Sequence, residues 1–218
     1  MDYTPIYLTL KLGALTTITL FIISIPIGYF FARSRWKIKV LFESLLMLPI
    51  VLPPTVLGFY FLSYLGPNSI IGSFFLENFN FSFAFSFEGI LFGSLIYCLP
   101  FMITPITEGF RSIPENLIYS AKTMGKNNIN ILFNIMIPNI KRSILNGIIL
   151  TFAHTLGEFG LILMIGGKME DTRVASIEIY DQMNMLNFEI AERYSLVLLG
   201  ISFLLIVLIN LTNVKYER

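Results

Sequence analysis

The fold turns on Ser112–Pro138, SIPENLIYSAKTMGKNNINILFNIMIP, a polar-flanked segment between long apolar runs. Ser112 and Glu115 have the S-x-x-E spacing of a capping box, with Pro114 in the first turn, where its missing N–H costs nothing. A helix is predicted from that point. Ile113, Leu117, Ala121 and Met124, with Ile118 beside them, fall on one helical stripe. Gly125 supplies the left-handed residue that ends it. After an Asn-rich turn, a second short helix is predicted over Ile131–Met136, stopped before Pro138. The result is a helix, a glycine turn and a short helix, too polar to span a membrane and too apolar for a plain loop. Two such helices need a groove to receive them.

Outward from this stretch the chain is apolar. Of its 218 residues 55% are hydrophobic and 13% charged, a balance that excludes an ordinary soluble domain and marks an integral membrane protein. A helix needs roughly 20 apolar residues to cross the hydrocarbon layer. Runs almost free of charge, with Lys11 near the start of the first and Glu158 inside the fourth, place spans at about residues 7–32, 44–65, 89–107, 143–165 and 194–213. The second run continues beyond Leu65, but Gly66-Pro67-Asn68-Ser69 reads as a turn that closes it. The start, MDYTPIYLTLK, has neither a basic leader nor a cleavage pattern and reads as a retained span. The fold expected is one all-α membrane domain of five transmembrane helices, with residues 112–138 as a cytoplasmic helix-turn-helix. The Phe-rich patch Phe74–Phe87 fits either a short external strand or an interfacial aromatic segment.

Orientation follows from Lys and Arg in the connecting loops. Arg33, Arg35, Lys37, Lys39, Arg111, Lys122, Lys126, Lys141, Arg142, Lys215 and Arg218 share one side, leaving Lys11, Lys168, Arg173 and Arg193 on the other. Most acidic residues, including Glu170, Asp171, Glu178, Asp181, Glu189 and Glu192, lie on that second side. The N-terminus is therefore expected outside, with the C-terminus and residues 112–138 in the cytoplasm.

The residues offer little for catalysis. There is no G-x-x-x-x-G-K-[ST], so no P-loop for ATP. One His and one Cys cannot assemble a metal cluster or a nucleophile–base pair, and no metal or catalytic site is expected. The second span is interrupted by Pro49, Pro53 and Pro54, with Gly58 following. An interrupted helix in mid-membrane must face protein or water. If the helix restarts at Pro54, the N–H groups of Val56 and Leu57 and the Thr55 hydroxyl form a neutral anion-binding end, although a kink made for packing is the plainer reading of the same residues. Glu158 is the acid within a span, four residues after His154 and bracketed by Gly157 and Gly160. Intramembrane carboxylates invite a functional reading because burial is costly. A His154–Glu158 pair, a gating or structural role, and simple access to outside water all fit. The acids of residues 166–193 read as a solvated face or as a docking surface for an external protein.

The spacing Tyr119-Ser120-Ala121, three residues, Gly125, nine residues, Ile135-Met136-Ile137-Pro138 resembles the EAA loop of ABC-importer permeases, with Tyr119 in place of the family's acid. LPIVLPPTVLGFY (Leu48–Tyr60), FAFSFEG (Phe83–Gly89) and FAHTLGEFG (Phe152–Gly160) resemble the permease subunit of molybdate importers, and the L-G-E-F-G stretch is shared with sulfate permeases. The resemblance implies the type I importer permease fold in a bacterial plasma (inner) membrane. It also implies a homodimer, two ABC ATPase subunits that bind ATP and Mg on the cytoplasmic face, and an external molybdate-binding protein. No cofactor is implied in this chain, and lipid rather than nucleic acid surrounds it. Coupling to the ATPase falls to Tyr119, Ala121, Gly125, Ile131, Phe133 and Pro138. Pro53, Pro54, Thr55, His154 and Glu158 become candidates for pathway or gate. Sulfate or tungstate is the alternative substrate, and a membrane scaffold holding a cytoplasmic protein is the alternative of another class.

Overall fold

The computed structural model describes residues 2–214, with side chains through Leu208. Lys215 and Arg218, counted above on the basic side, lie outside the described residues. The chain forms α1 (Thr4–Arg33), α2 (Lys39–Val51), α3 (Pro54–Leu65), α4 (Ile70–Phe79), α5 (Phe87–Ser112), α6 (Glu115–Thr123) and α7 (Asn128–Ile131). A π-helical turn (Leu132–Met136) leads into α8 (Ile137–Asn139), followed by α9 (Lys141–Leu156), α10 (Gly160–Gly166), α11 (Ala175–Asn184) and α12 (Phe188–Val214). No strand occurs among the described residues. The helices α1, α5 and α12 are each long and apolar enough to cross a membrane, and up to five crossings result if each of two bent pairs is one span.

Those pairs depart from straight spans. Between α2 and α3 the axis turns by 110°, because Pro53 and Pro54 lack N–H donors and hold Leu52 and Pro53 extended. Residues 143–165, read above as one helix, break at Gly157–Phe159, where α9 and α10 meet at 61°.

Helix α1 buries Leu8, Leu12, Thr16, Leu20, Ser24 and Gly28, a stripe repeating every four residues that packs against α5 and α9. Two apolar cores result. One joins Leu8 and Leu12 to Ile90, Leu161, Ile165 and Ile177. The other joins Leu20 to Met102, Ile106 and Phe110, and continues through Ile113, Ala121, Ile131, Met136 and Ile140. The second core thus runs into Ser112–Pro138.

Three local expectations there are corrected. Ser112 closes the last turn of α5, its Oγ donating to the Gly109 carbonyl at 2.8 Å, so it does not cap α6. An extended two-residue link, Ile113–Pro114, separates the helices, as the position before proline favours. Pro138 does not stop the second helix but sits within α8. The preceding turn is widened, with the Ile137 N–H reaching the Leu132 carbonyl, and this looser winding accommodates a ring that would crowd a regular α-turn. The predicted stripe divides: Ile113 and Ala121 are buried, whereas Leu117 and Met124 are exposed. Nor is Phe74–Phe87 a strand. Helix α4 runs to Phe79, Asn80 turns left-handed, and Phe75, Phe81 and Phe83 pack edge to face.

Candidate functional site

Two regions carry the residues singled out from sequence. The first is α6 and its successor. Ala121 and Ile131 are 5% and 2% exposed, seated in the second core, while Tyr119 and Phe133 are 55% and 60% exposed. With Leu117, Met124 and Ile129, these exposed side chains give the pair an outward apolar aspect. Pro138 is also exposed. The six coupling candidates therefore sit in different surroundings: Ala121 and Ile131 are packed into the core, and Tyr119 and Phe133 are exposed. The Tyr119 hydroxyl donates to Glu115 Oε2 at 3.4 Å.

Gly125 sets the turn. Its φ is +76°, a region that side chains resist. The Lys126 N–H donates to the Ala121 carbonyl at 3.1 Å and the Gly125 N–H to the Lys122 carbonyl at 2.9 Å. Those two bonds are the Schellman pattern at a helix C-terminus.

The second region is a cavity of about 290 Å³ lined by Pro54, Tyr97, Ala153, His154, Gly157, Glu158, Phe159 and Gly160. It brings Pro54, His154 and Glu158 together, at the place where both bent pairs break. Pro53 and Thr55 flank Pro54 at the α3 start. Helices α3 and α10 approach closely there: a Cβ at Gly160 would lie 3.2 Å from Thr55 Cγ2, and one at Gly58 would lie 2.6 Å from Met164 Cβ. The helix does restart at Pro54, but the N–H groups of Val56 and Leu57 are not free, since both donate to the Pro53 carbonyl, at 2.9 and 3.4 Å.

Glu158 does not reach outside water. It is 4% exposed, and its Oε2 accepts from Ser94 Oγ at 2.9 Å. Its backbone carbonyl accepts from Ser176 Oγ at 2.8 Å, which ties the break to α11. The His154–Glu158 pair is not formed. Helix α9 ends at Leu156, so the four-residue spacing no longer places both on one face. His154 instead stacks on Phe101, with ring centroids 4.0 Å apart, and lies 5.0 Å from Tyr97. Ser94, Tyr97 and Phe101, all on α5, were not singled out from sequence; a serine inside an apolar span is the signal that would have raised Ser94.

The acids after α10 are not a uniform solvated face. Glu178 and Asp181 are buried, Asp181 pairing with Lys168, and Glu178 lying 3.8 Å from Arg173. Glu170, Asp171, Glu189 and Glu192 remain exposed. Among the described residues no three His, Cys, Asp or Glu side chains gather where a metal ion could sit.

Comparison with known proteins agrees with this architecture. The family described as binding-protein-dependent transport system inner membrane component matches residues 24–216. The molybdenum transport system permease protein ModB of Azotobacter vinelandii is 37% identical over 190 residues, which cover 86% of this chain and 83% of that protein. The molybdate/tungstate transport system permease protein WtpB of Methanocaldococcus jannaschii is 33% identical, over 93% of this chain and 78% of its own length. A chain of the MetNI methionine ABC transporter, solved in inward-facing conformations, superposes with a TM-score of 0.72 at 14% identity, covering 94% of this chain and 91% of that one, and so shares the fold. With a family match over nearly its whole length and helices built to cross a bilayer, this chain belongs to the inner-membrane components of binding-protein-dependent transport systems.

Proposed function

We propose that the chain is the permease subunit of an ATP-driven importer of molybdate. The observation that carries this reading is the 37% identity to the Azotobacter vinelandii molybdenum permease over 86% of the chain. Two copies would form the translocation pathway between them, each crossing the membrane five times, with the N-terminus outside and the C-terminus in the cytoplasm. A binding protein would deliver the oxyanion from outside. Two ATPase subunits, holding ATP and Mg, would sit beneath residues 112–138.

The division of labour in that stretch supports the reading. A docking element needs one face fixed to its own chain and another open to a partner. Ala121 and Ile131 supply the first, and Tyr119 and Phe133 the second. Burying a side chain such as Ile131 contributes about 1.5–3 kcal/mol where the alternative is water, enough to seat the element before a partner arrives. Closure of the ATPase dimer would move this element, rock the two copies and turn the cavity outward. Glu158 takes a structural or gating role rather than a substrate-binding one: with Ser94 on its side chain and Ser176 on its carbonyl, it holds the α9–α10 break to α5 and α11.

The test is ATP hydrolysis by the chain reconstituted with its cognate ATPase and binding protein, with molybdate, tungstate and sulfate compared at equal concentration. Stimulation by molybdate is the expected result. Stimulation by sulfate alone would keep the architecture and overturn the substrate. Absence of any ATPase in the purified complex would overturn the transporter reading in favour of a scaffold.

A further inference from the structure

Arg33 ends α1 and begins the basic run that fixes orientation, a role that asks only for a charge near the interface. Its neighbours Arg35 and Lys37 behave that way and are exposed. Arg33 instead turns inward. Its Nη2 donates to two carbonyls of α5 and the link that follows, Phe110 O at 3.1 Å and Ile113 O at 3.2 Å. These acceptors lie either side of the end of α5: Phe110 in its last turn, Ile113 in the extended connection to α6. The last carbonyls of a helix have no partners within it and carry the negative end of its dipole, so a guanidinium there satisfies both needs. Lys39 holds the end of α1 in the same manner, its Nζ donating to Phe31 O and Ser34 O.

From this geometry, and resting on the transport reading above, we infer that Arg33 is a positioning residue for energy coupling: it clamps the Ile113–Pro114 link so that movement of α6 is carried into α1 and α5 together. The core alone does not do this. Ile113 and Ala121 seat the element by apolar packing, which sets no direction, whereas one charged nitrogen bonded to a carbonyl on each side of the junction fixes the angle at which α6 leaves α5. Without the clamp, α6 can follow the ATPase while the spans stay behind.

The experiment compares wild type, Arg33→Met and Arg33→Lys in the assembled transporter in proteoliposomes, reading both ATP hydrolysis and molybdate import. Met keeps the apolar stem and removes the donors; Lys returns a single charged nitrogen, the kind of donor that makes both bonds, on a shorter and less rigid head. Expected in Arg33→Met is a complex that still hydrolyses ATP but imports about tenfold less molybdate per ATP, the scale of losing a charge-assisted hydrogen bond, with Lys recovering part of the ratio. Import and hydrolysis falling in proportion, or an unchanged ratio, would overturn the inference. Amide exchange on the permease chain alone, in lipid nanodiscs, gives a readout independent of the partners. Faster exchange across residues 113–126 in the Met variant supports the clamp, and unchanged exchange in both variants overturns it. A wild-type complex that shows no molybdate-dependent hydrolysis would mark the failure of the transport reading, since the exchange readout stands without it.

Discussion

Replacing Gly125 isolates the turn between α6 and α7 with little interference from packing. A Cβ there would meet no atom within 4 Å, so a substitution is penalised by the backbone alone. At φ +76° an L-residue costs roughly 1–2 kcal/mol, which at about 1.4 kcal/mol per tenfold lowers occupancy of the turn about five- to thirtyfold. Gly125→Ala should show that loss, Gly125→Asn much less because Asn tolerates left-handed backbone, and Gly125→Val the most because a β-branched residue resists positive φ. The assay is amide exchange at Lys126, whose N–H is held by the Ala121 carbonyl only while the turn is formed. Exchange should quicken by that factor in Ala, remain near wild type in Asn, and rise further in Val. In the reconstituted importer, Gly125→Val should leave the chain in the membrane but separate ATP hydrolysis from uptake. Equal exchange in Ala and Asn, or normal transport by Val, would mean that the left-handed turn does not govern this element.

Two further outcomes test the region around the breaks. Gly58→Val should lower the melting temperature by overpacking the α3–α10 contact, where a Cβ would lie 2.6 Å from Met164 Cβ, at a cost of about 1–3 kcal/mol. Gly200→Val on α12, where a Cβ would meet nothing within 4 Å, should not change it, and equal melting of the two variants would contradict the close approach. Ser94→Ala removes the hydrogen bond to the Glu158 carboxyl and should cost about 1–3 kcal/mol of stability. In a Glu158→Met background the same change should be nearly neutral, and an equal loss in both would show that the two side chains act separately.

Hydropathy made the long apolar helices legible because length and lack of charge are local properties, and the break at Pro53-Pro54 was legible because proline removes a donor wherever it stands. The α9–α10 break was not. Gly157 and Glu158 within an apolar run resemble a loosened helix, and what holds the chain open there is a serine 18 residues further on. Periodicity found the apolar positions of α6 but not which of them the chain covers with its own core: Ala121 faces inward, and Leu117 and Met124 outward. The capping spacing misled because Ser112 was already part of α5. At the cavity, Pro54, His154 and Glu158 were each visible as oddities within spans. Their meeting, and the contribution of Ser94 from 64 residues away, belongs to tertiary packing.

The Ser176 hydroxyl on the Glu158 carbonyl also sets an order for biogenesis. In chain order residues 141–166 precede Ser176, so the segment that carries this carbonyl is made before its partner. Until then a carbonyl in the middle of that segment lacks the partner it has in the mature protein, a costly state in hydrocarbon. A continuous helix is the cheaper form for the newborn segment. The bend thus depends on α11 folding back, where the Ala175 N–H rests on Thr9 Oγ1 of the first helix in the chain.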